Sequence, residues 1–260
     1  MPTVSPYFDP SSQTGGSTPN LQTKTITLNQ YGTVVIAPDS GYDGLQQVNV
    51  NVQTRLKSVG GRIFYIDNSS TTTYKFYDSS MNEISSVSVG DTPAFYEELT
   101  SGNGKDKFYV YHDELYTTKY WTYKVNDSWV YESLGVTNDA LGAGKTNTAT
   151  VMAANNGAYI TDEASGEANS LTIWKIVQNA RDSLIGGCDD WFIGSKDEYT
   201  YLANFLAARS GTLTNYFATN DPWSSTEKND QNSYNFLHAS SSWDYNKKHY
   251  QKDAVLIRAF

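Results

Sequence analysis

Cysteine is almost absent: Cys188 is the single one in 260 residues. No intrachain disulfide can form, which excludes the class of small secreted domains held together by bridges, and folding in a reducing compartment is permitted. Positive charge is also scarce. With a net charge of -9, nucleic acid and anionic membranes are not expected partners, because phosphate contacts need clustered Lys and Arg. The densest cationic group is only Lys247-Lys248-His249. No apolar run approaches the length of a membrane-spanning helix. Residues 1–20 lack both the basic start and the apolar core of a secretory signal, so synthesis in the cytoplasm without a signal peptide is expected.

Aromatic residues are abundant, with 20 Tyr in a chain that is 14% aromatic, a composition suited to β-rich structure with aromatic surface. Residues 1–20 are rich in Pro, Ser, Thr and Gly and read as a flexible arm. Residues 21–56 read as a small β module. Thr25-Ile26-Thr27-Leu28 and Val34-Val35-Ile36 are short strand candidates, and Val48-Asn49-Val50-Asn51-Val52 alternates with period two. Between them, Pro38-Asp39-Ser40-Gly41-Tyr42-Asp43-Gly44 is dense turn chemistry. This block resembles a small module common in tail and fibre proteins of bacteriophages.

A larger domain, residues 58–260, opens on Gly60-Gly61 and the strand Arg62-Ile63-Phe64-Tyr65-Ile66-Asp67. Strand candidates follow at 74–77, 108–111, 120–125 and 129–131, and their Tyr and Trp residues read as sheet and core material. A helix is expected over 170–182, where Leu171, Trp174, Val177 and Ala180 recur every third residue. After the short strand Asp190-Trp191-Phe192-Ile193, the run Ser195-Lys196-Asp197-Glu198 has the form of a capping box. It opens a second helix whose apolar face is Tyr199, Leu202, Phe205 and Leu206, with Gly211 as its stop.

The C-terminal stretch, residues 222–260, stands apart. Trp223-Ser224-Ser225-Thr226-Glu227 and the apolar Ala254-Val255-Leu256-Ile257-Arg258-Ala259-Phe260 read as scaffold at its two ends, with Trp223, Trp243 and Phe260 as scaffold aromatics. Residues 228–253 contain neither Gly nor Pro, although surface loops ordinarily use both. Most of them are Asn, Asp, His, Tyr or Ser, and two of the chain's three His fall here. Tyr offers large stiff contact area with a polar tip, and the short polar types adapt as donors and acceptors. The same set arises when the adenines of AAC or AAT codons are randomised, which yields these types and no stop codon. The expected ligand-contacting residues are Tyr234, Asn235, His238, Ser240, Ser242, Asp244, Tyr245, Asn246, His249 and Tyr250, held on one face.

The frame Trp223-Ser224-Ser225-Thr226-Glu227, the polar-aromatic middle and the closing Ile257-Arg258-Ala259-Phe260 together resemble the variable region of diversity-generating retroelement target proteins. That resemblance implies an α+β fold: a C-type-lectin-type domain of mixed, mostly antiparallel β structure with two helices, preceded by the small all-β module. Gly187-Cys188-Asp189-Asp190-Trp191-Phe192-Ile193 with its capping box is similar to lectin-like domains of bacterial and phage surface proteins. The first and last strands of such a domain pair, which would set 62–66 beside 255–259. The resemblance further implies a non-catalytic binding protein on a phage tail or another displayed particle. Its expected partners are a host cell-surface protein or glycan, and other virion proteins through the N-terminal region. Assembly into a homo-oligomer is left open. The alternative reading is a lectin-like carbohydrate-binding module of fixed specificity.

Motifs for chemistry are missing or incomplete. Gly142-Ala143-Gly144-Lys145-Thr146 imitates a phosphate-binding loop, but Asp139 occupies the place of its first glycine. Calcium-dependent lectins carry a Glu-Pro-Asn or Gln-Pro-Asp triplet and a Trp-Asn-Asp triplet, and neither occurs. His112, His238 and His249 have no zinc-ligand spacing with Cys188. Formylglycine-generating enzymes, which share the fold type, depend on paired cysteines. Cys188 beside Asp189 reads as a small buried residue, and no nucleophile-elbow motif is present. No cofactor, no metal and no enzymatic reaction are therefore expected.

Overall fold

The computed structural model describes residues 19–29, 36–53, 56–66, 73–100, 108–161 and 171–260. The chain divides into two compact units, Met1–Lys57 and Ser58–Phe260. In the first, β1 (Leu21–Asn29) pairs in parallel with β2 (Gly44–Gln53). Both contain the expected strand positions. Parallel neighbours cannot be joined by a tight hairpin, and the turn-rich segment between them is tied back to β1. Asp39 accepts from Lys24 Nζ and Gln22 Nε2, each at 2.6 Å. Of the strand expected at Val34-Val35-Ile36, only Ile36 is among the described residues, where it lies outside any strand, and nearly all of the N-terminal arm lies outside them.

A short strand β3 (Leu56–Ser58) stands at the boundary. The second unit is α+β. Its main sheet has the order β11 (Phe192–Ile193), β15 (Lys252–Ala259), β8 (Phe108–Lys119), β4 (Arg62–Ile66), with every pair antiparallel. The first and last strands of the domain are therefore not neighbours, contrary to expectation, because β8 lies between them. The reason is chemical: Phe108-Tyr109-Val110-Tyr111 is buried throughout, and a strand apolar on both faces belongs in the middle of a sheet.

A second sheet contains the strand expected at 74–77 and two strands that the sequence pattern does not mark. β5 (Thr73–Tyr77) runs antiparallel to both β6 (Glu83–Ile84) and β7 (Phe95–Thr100). Tyr96 closes on Phe260 at 4.6 Å, and Phe260 stacks on Phe108 at 4.2 Å, which gives the terminal aromatic its scaffold role. A two-strand hairpin, β9 (Lys124–Val125) and β10 (Ser128–Trp129), turns on Asn126 and Asp127, both left-handed at φ 48° and 62°. That geometry matches the twist of the flanking strands.

Four α-helices occur among the described residues: α1 (Ala143–Ala153), α2 (Ala158–Thr161), α3 (Ile173–Asp182) and α4 (Lys196–Ala207). The expected pair corresponds to α3 and α4, so α1 and α2 are additions. Thr172 caps α3 by accepting from Lys175 N at 3.0 Å. The Ser195–Glu198 capping box opens α4 as its spacing predicts. The helix ends at Ala207, and Gly211 lies in the following turn at φ 108°. The core contains four fully buried indoles, Trp121, Trp174, Trp191 and Trp223. Trp174 Nε1 donates to Trp121 O at 2.7 Å, and Trp121 Nε1 to Ser224 O at 3.1 Å. The buried ring nitrogens are thus satisfied, as large burial with one polar tip requires.

Candidate functional site

The C-terminal stretch is sheet where the sequence suggested loop. β12 (Trp223–Glu227), β13 (Asn232–Leu237) and β14 (Ser242–Lys247) form a three-stranded antiparallel sheet in that order. β12 is polar yet buried at all five positions. It survives there because its polar groups are bonded. Ser225 N donates to Gly194 O at 2.8 Å and Glu227 N to Val136 O at 3.0 Å. Ser224 Oγ reaches Tyr234 O at 3.0 Å, and Ser233 Oγ reaches Thr226 O at 2.8 Å.

Glu227 and Lys248 form the keystone of this frame. They meet at 2.8 Å with both side chains wholly inaccessible. The other carboxylate oxygen accepts from Gly135 N at 2.6 Å and Ser133 Oγ at 3.0 Å. Lys248 Nζ also donates to Glu132 O at 2.8 Å and lies 4.4 Å from the Trp121 ring centroid. Burial pushes the Lys248 ammonium below its usual pKa, and Glu227 opposes that shift. A charge pair so enclosed is tolerated only when its remaining donors and acceptors are used. Lys248 is therefore no surface cation, although it belongs to the densest cationic run in the sequence.

The ten expected contact residues do not share one face. Ladder pairing sets Tyr234 opposite Tyr245 and Phe236 opposite Trp243, while Asn235 faces Asp244 and Ser233 faces Asn246. Successive side chains alternate across a strand, so the two sets project to opposite sides. On one side Tyr234 and Tyr245 meet edge to face at 6.4 Å, and Lys196 of α4 sits 4.2 Å over Tyr234. Trp243 Nε1 donates to Thr200 Oγ1 on the same helix at 3.0 Å. On the other side Asn235 is 0% exposed and accepts from Asn246 Nδ2 at 2.8 Å. Asn235 thus belongs to the frame, contrary to expectation: it sits in the central strand, flanked by β12 and β14, whereas Asp244 is exposed on the outer strand.

The turn residues are solvent-facing. His238, Ser240 and Ser242 are exposed, with Ser240 Oγ and Ser242 Oγ at 2.7 Å. Asp221 anchors this turn, lying 2.8 Å from His238 Nδ1 and 3.0 Å from Lys252 Nζ. Burial pushes its carboxyl up, but hydrogen bonds from His238 and Lys252 outweigh that and hold it below the usual range. Tyr245 is 50% exposed and Tyr250 45%.

His249 is half-buried and joins Tyr250 to a cluster outside the C-terminal stretch. Its ring lies 5.6 Å from Trp129 and 5.8 Å from Tyr131, and its Nδ1 is hydrogen-bonded to the Tyr131 hydroxyl. Burial, followed by the charge of Lys247, lowers the His249 pKa and favours the neutral ring. The sequence pattern reads Trp129 and Tyr131 as sheet and core material, yet Tyr131 is exposed. The Asn126-Asp127 turn dipeptide was the available signal, since it marks a protruding hairpin.

The phosphate-loop imitation is the N-terminus of α1, and it is occupied by the protein itself. Glu198 accepts from Gly142 N and Gly144 N, each at 3.1 Å, and from Ser195 N at 2.7 Å. A Cβ at position 144 would fall 2.1 Å from the same carboxylate. The glycine therefore admits an internal anion in the place where a phosphate would bind. Burial nevertheless lifts the Glu198 carboxyl to about 7, against the pull of these N–H donors. Cys188 is buried, with burial raising its thiol pKa. Arg258 Nη1 lies 2.6 Å from its sulfur and donates to Val59 O at 2.8 Å. Among the described residues no three His, Cys, Asp or Glu side chains gather as a metal site, and no helix is long and apolar enough to cross a membrane.

No family model matches this chain, and no curated protein does. Among solved structures, the crystal structure of a fimbrial protein from Bacteroides ovatus ATCC 8483 overlays with a TM-score of 0.39 at 12% identity, over 84% of this chain and 50% of that one. The chain thus spans about half the length of that structure, and overlap at this level transfers neither fold nor function.

Proposed function

We propose that this is a non-catalytic receptor-binding protein. Its second unit is read as a C-type-lectin-type domain whose C-terminal sheet carries exchangeable ligand contacts, diversified at the gene by a retroelement. The protein is read as displayed on a phage tail tip or a comparable particle and directed at a host surface protein or glycan. One observation supports this above all. Within a single segment, a fully bonded polar frame (Ser224, Ser225, Thr226, Glu227, Asn235, Lys248) alternates with exposed side chains such as Asp244, Tyr245 and Tyr250. Changing the exposed set leaves the frame's hydrogen bonds intact. Exposed Tyr beside short polar residues supplies contact area at low entropic cost.

The test is a displayed library randomised at Ser240, Ser242, Asp244, Tyr245 and Tyr250 and selected against an immobilised protein and an immobilised glycan. The expected result is recovery of distinct binders whose melting temperatures match the parent. A library that unfolds, or folds and gives no binder to either target, contradicts the proposal. The gene offers an independent check: a near-copy of the codons for 222–260, differing mainly at adenines and adjoining a reverse transcriptase gene, is expected.

A further inference from the structure

On the same side of the sheet as Tyr234 and Tyr245 lies a cavity of about 190 Å³ between α4, the segment around Asn215–Phe217 and the β13–β14 hairpin. Its apolar wall is formed by Phe217, Phe236 and Trp243, set in successive perpendicular contacts at 5.1 and 5.6 Å. Thr200 Oγ1 accepts from Trp243 Nε1 at 3.0 Å and donates to Lys196 O at 2.8 Å, which fixes the indole and leaves that hydroxyl no free donor. Polar capacity remains elsewhere. The Asn204 side chain makes no hydrogen bond among the described residues, and Asn215 uses only its carbonyl oxygen, accepting from Phe217 N at 3.1 Å. Ser241 lines the rim in a left-handed turn at φ 49°. No Asp, Glu, Lys, Arg or His lines the cavity.

We infer that this cavity is a binding site for one uncharged sugar ring. A neutral lining gives no compensation for desolvating an ion, which disfavours charged ligands. The half-buried Trp243 indole is the ring available to the C–H face of a pyranose, with Phe217 and Phe236 packed behind it, and a free carboxamide both donates and accepts, as adjacent sugar hydroxyls require. The volume corresponds to roughly six water molecules, enough for one ring and too little for a chain of them. The site differs from the exchangeable positions in its residues: Asn204, Asn215 and Phe217 precede residues 222–260, and the residues of that stretch that line it, Phe236, Ser241 and Trp243, are not among the exchangeable ones.

The experiment titrates the full chain with galactose, glucose, mannose, N-acetylglucosamine and N-acetylgalactosamine, reading tryptophan fluorescence and saturation-transfer NMR. Saturable millimolar binding of at least one sugar is expected, weakened about tenfold or more by Asn204→Ala. Ala207→Trp, which fills the cavity from its exposed edge, should abolish it. Tyr245→Ala should leave it unchanged, so failure here is separable from failure of the display face. No saturation by any sugar, or saturation that persists in both Asn204→Ala and Ala207→Trp, overturns the inference. Loss on Tyr245→Ala alone would move the sugar to the tyrosine face and overturn it equally.

Discussion

Asn235 and Asp244 face each other across one ladder, carry side chains of nearly the same size, and have opposite fates. Asn235 lies in the middle strand of three and is sealed from solvent, whereas Asp244 lies one strand further out and is exposed. The same division separates the whole C-terminal stretch. Ser224, Ser225, Ser233 and Lys248 are buried, while Ser240, Ser242 and Lys247 are exposed. Residue type does not decide which group a side chain joins. Strand position decides it, together with whether every buried donor and acceptor finds a partner.

Breaking the frame should be far more costly than altering the face. Glu227→Ala or Lys248→Ala strands a buried charge and should cost about 3–5 kcal/mol in chemical denaturation. The double replacement Glu227→Leu with Lys248→Met should cost less than the two single losses added, since no charge is left unpaired. Additive losses would mean that the pair does not act as a unit.

The ladder pair itself gives the next largest contrast. Asn235→Ala removes the acceptor for Asn246 from a dry site and should cost about 1–3 kcal/mol. Asp244→Ala should stay within about 0.5 kcal/mol of the parent. Equal effects would erase the distinction between frame and face.

A third contrast is between two buried glutamates, one paired with a lysine and one held by backbone N–H groups. Glu198 rises from 4.5 to about 7 on folding, so between these values the folded chain keeps a proton that the unfolded chain has lost. Its contribution to stability is therefore full below pH 4.5 and declines as pH rises to about 7, by up to roughly 1.4 kcal/mol per pH unit. Denaturation across that interval should show the slope, and Glu198→Gln should remove it. An unchanged slope in Glu198→Gln would place the proton elsewhere.

The smallest stability effects belong to the face. Tyr245→Ala and Tyr250→Ala should each shift unfolding by less than about 0.5 kcal/mol, while weakening a selected ligand by about 1–2 kcal/mol or more. A large stability loss would transfer those rings to the core.

Strong local signals in the sequence matched the structure closely. The Ser195–Glu198 capping box and the stripe of Trp174, Val177 and Ala180 are patterns of residues a few positions apart, and Trp223 is buried as its residue type suggests. What was not legible depends on distant partners. α1 has no side-chain cap of its own, and Glu198 supplies its first N–H groups with acceptors from 54 and 56 residues away. β8 separates β4 from β15 because of its own apolar run, which a frame built from the two chain ends does not reveal. At the candidate site, composition put Asn235 on the face and Trp129 and Tyr131 in the core. The first error follows from reading a strand as a loop, and the second from taking a partly exposed hairpin for interior sheet. Once β13 and β14 are paired, parity alone divides the candidates between two sides.

The most direct test is saturation mutagenesis of residues 222–260, with resistance to proteolysis read at every position. A changeable face on a fixed frame predicts near-complete tolerance at Ser240, Ser242, Asp244, Tyr245 and Tyr250, and intolerance at Glu227, Ser233, Asn235 and Lys248. Tolerance spread evenly over both groups, or intolerance concentrated at the tyrosines, would contradict it.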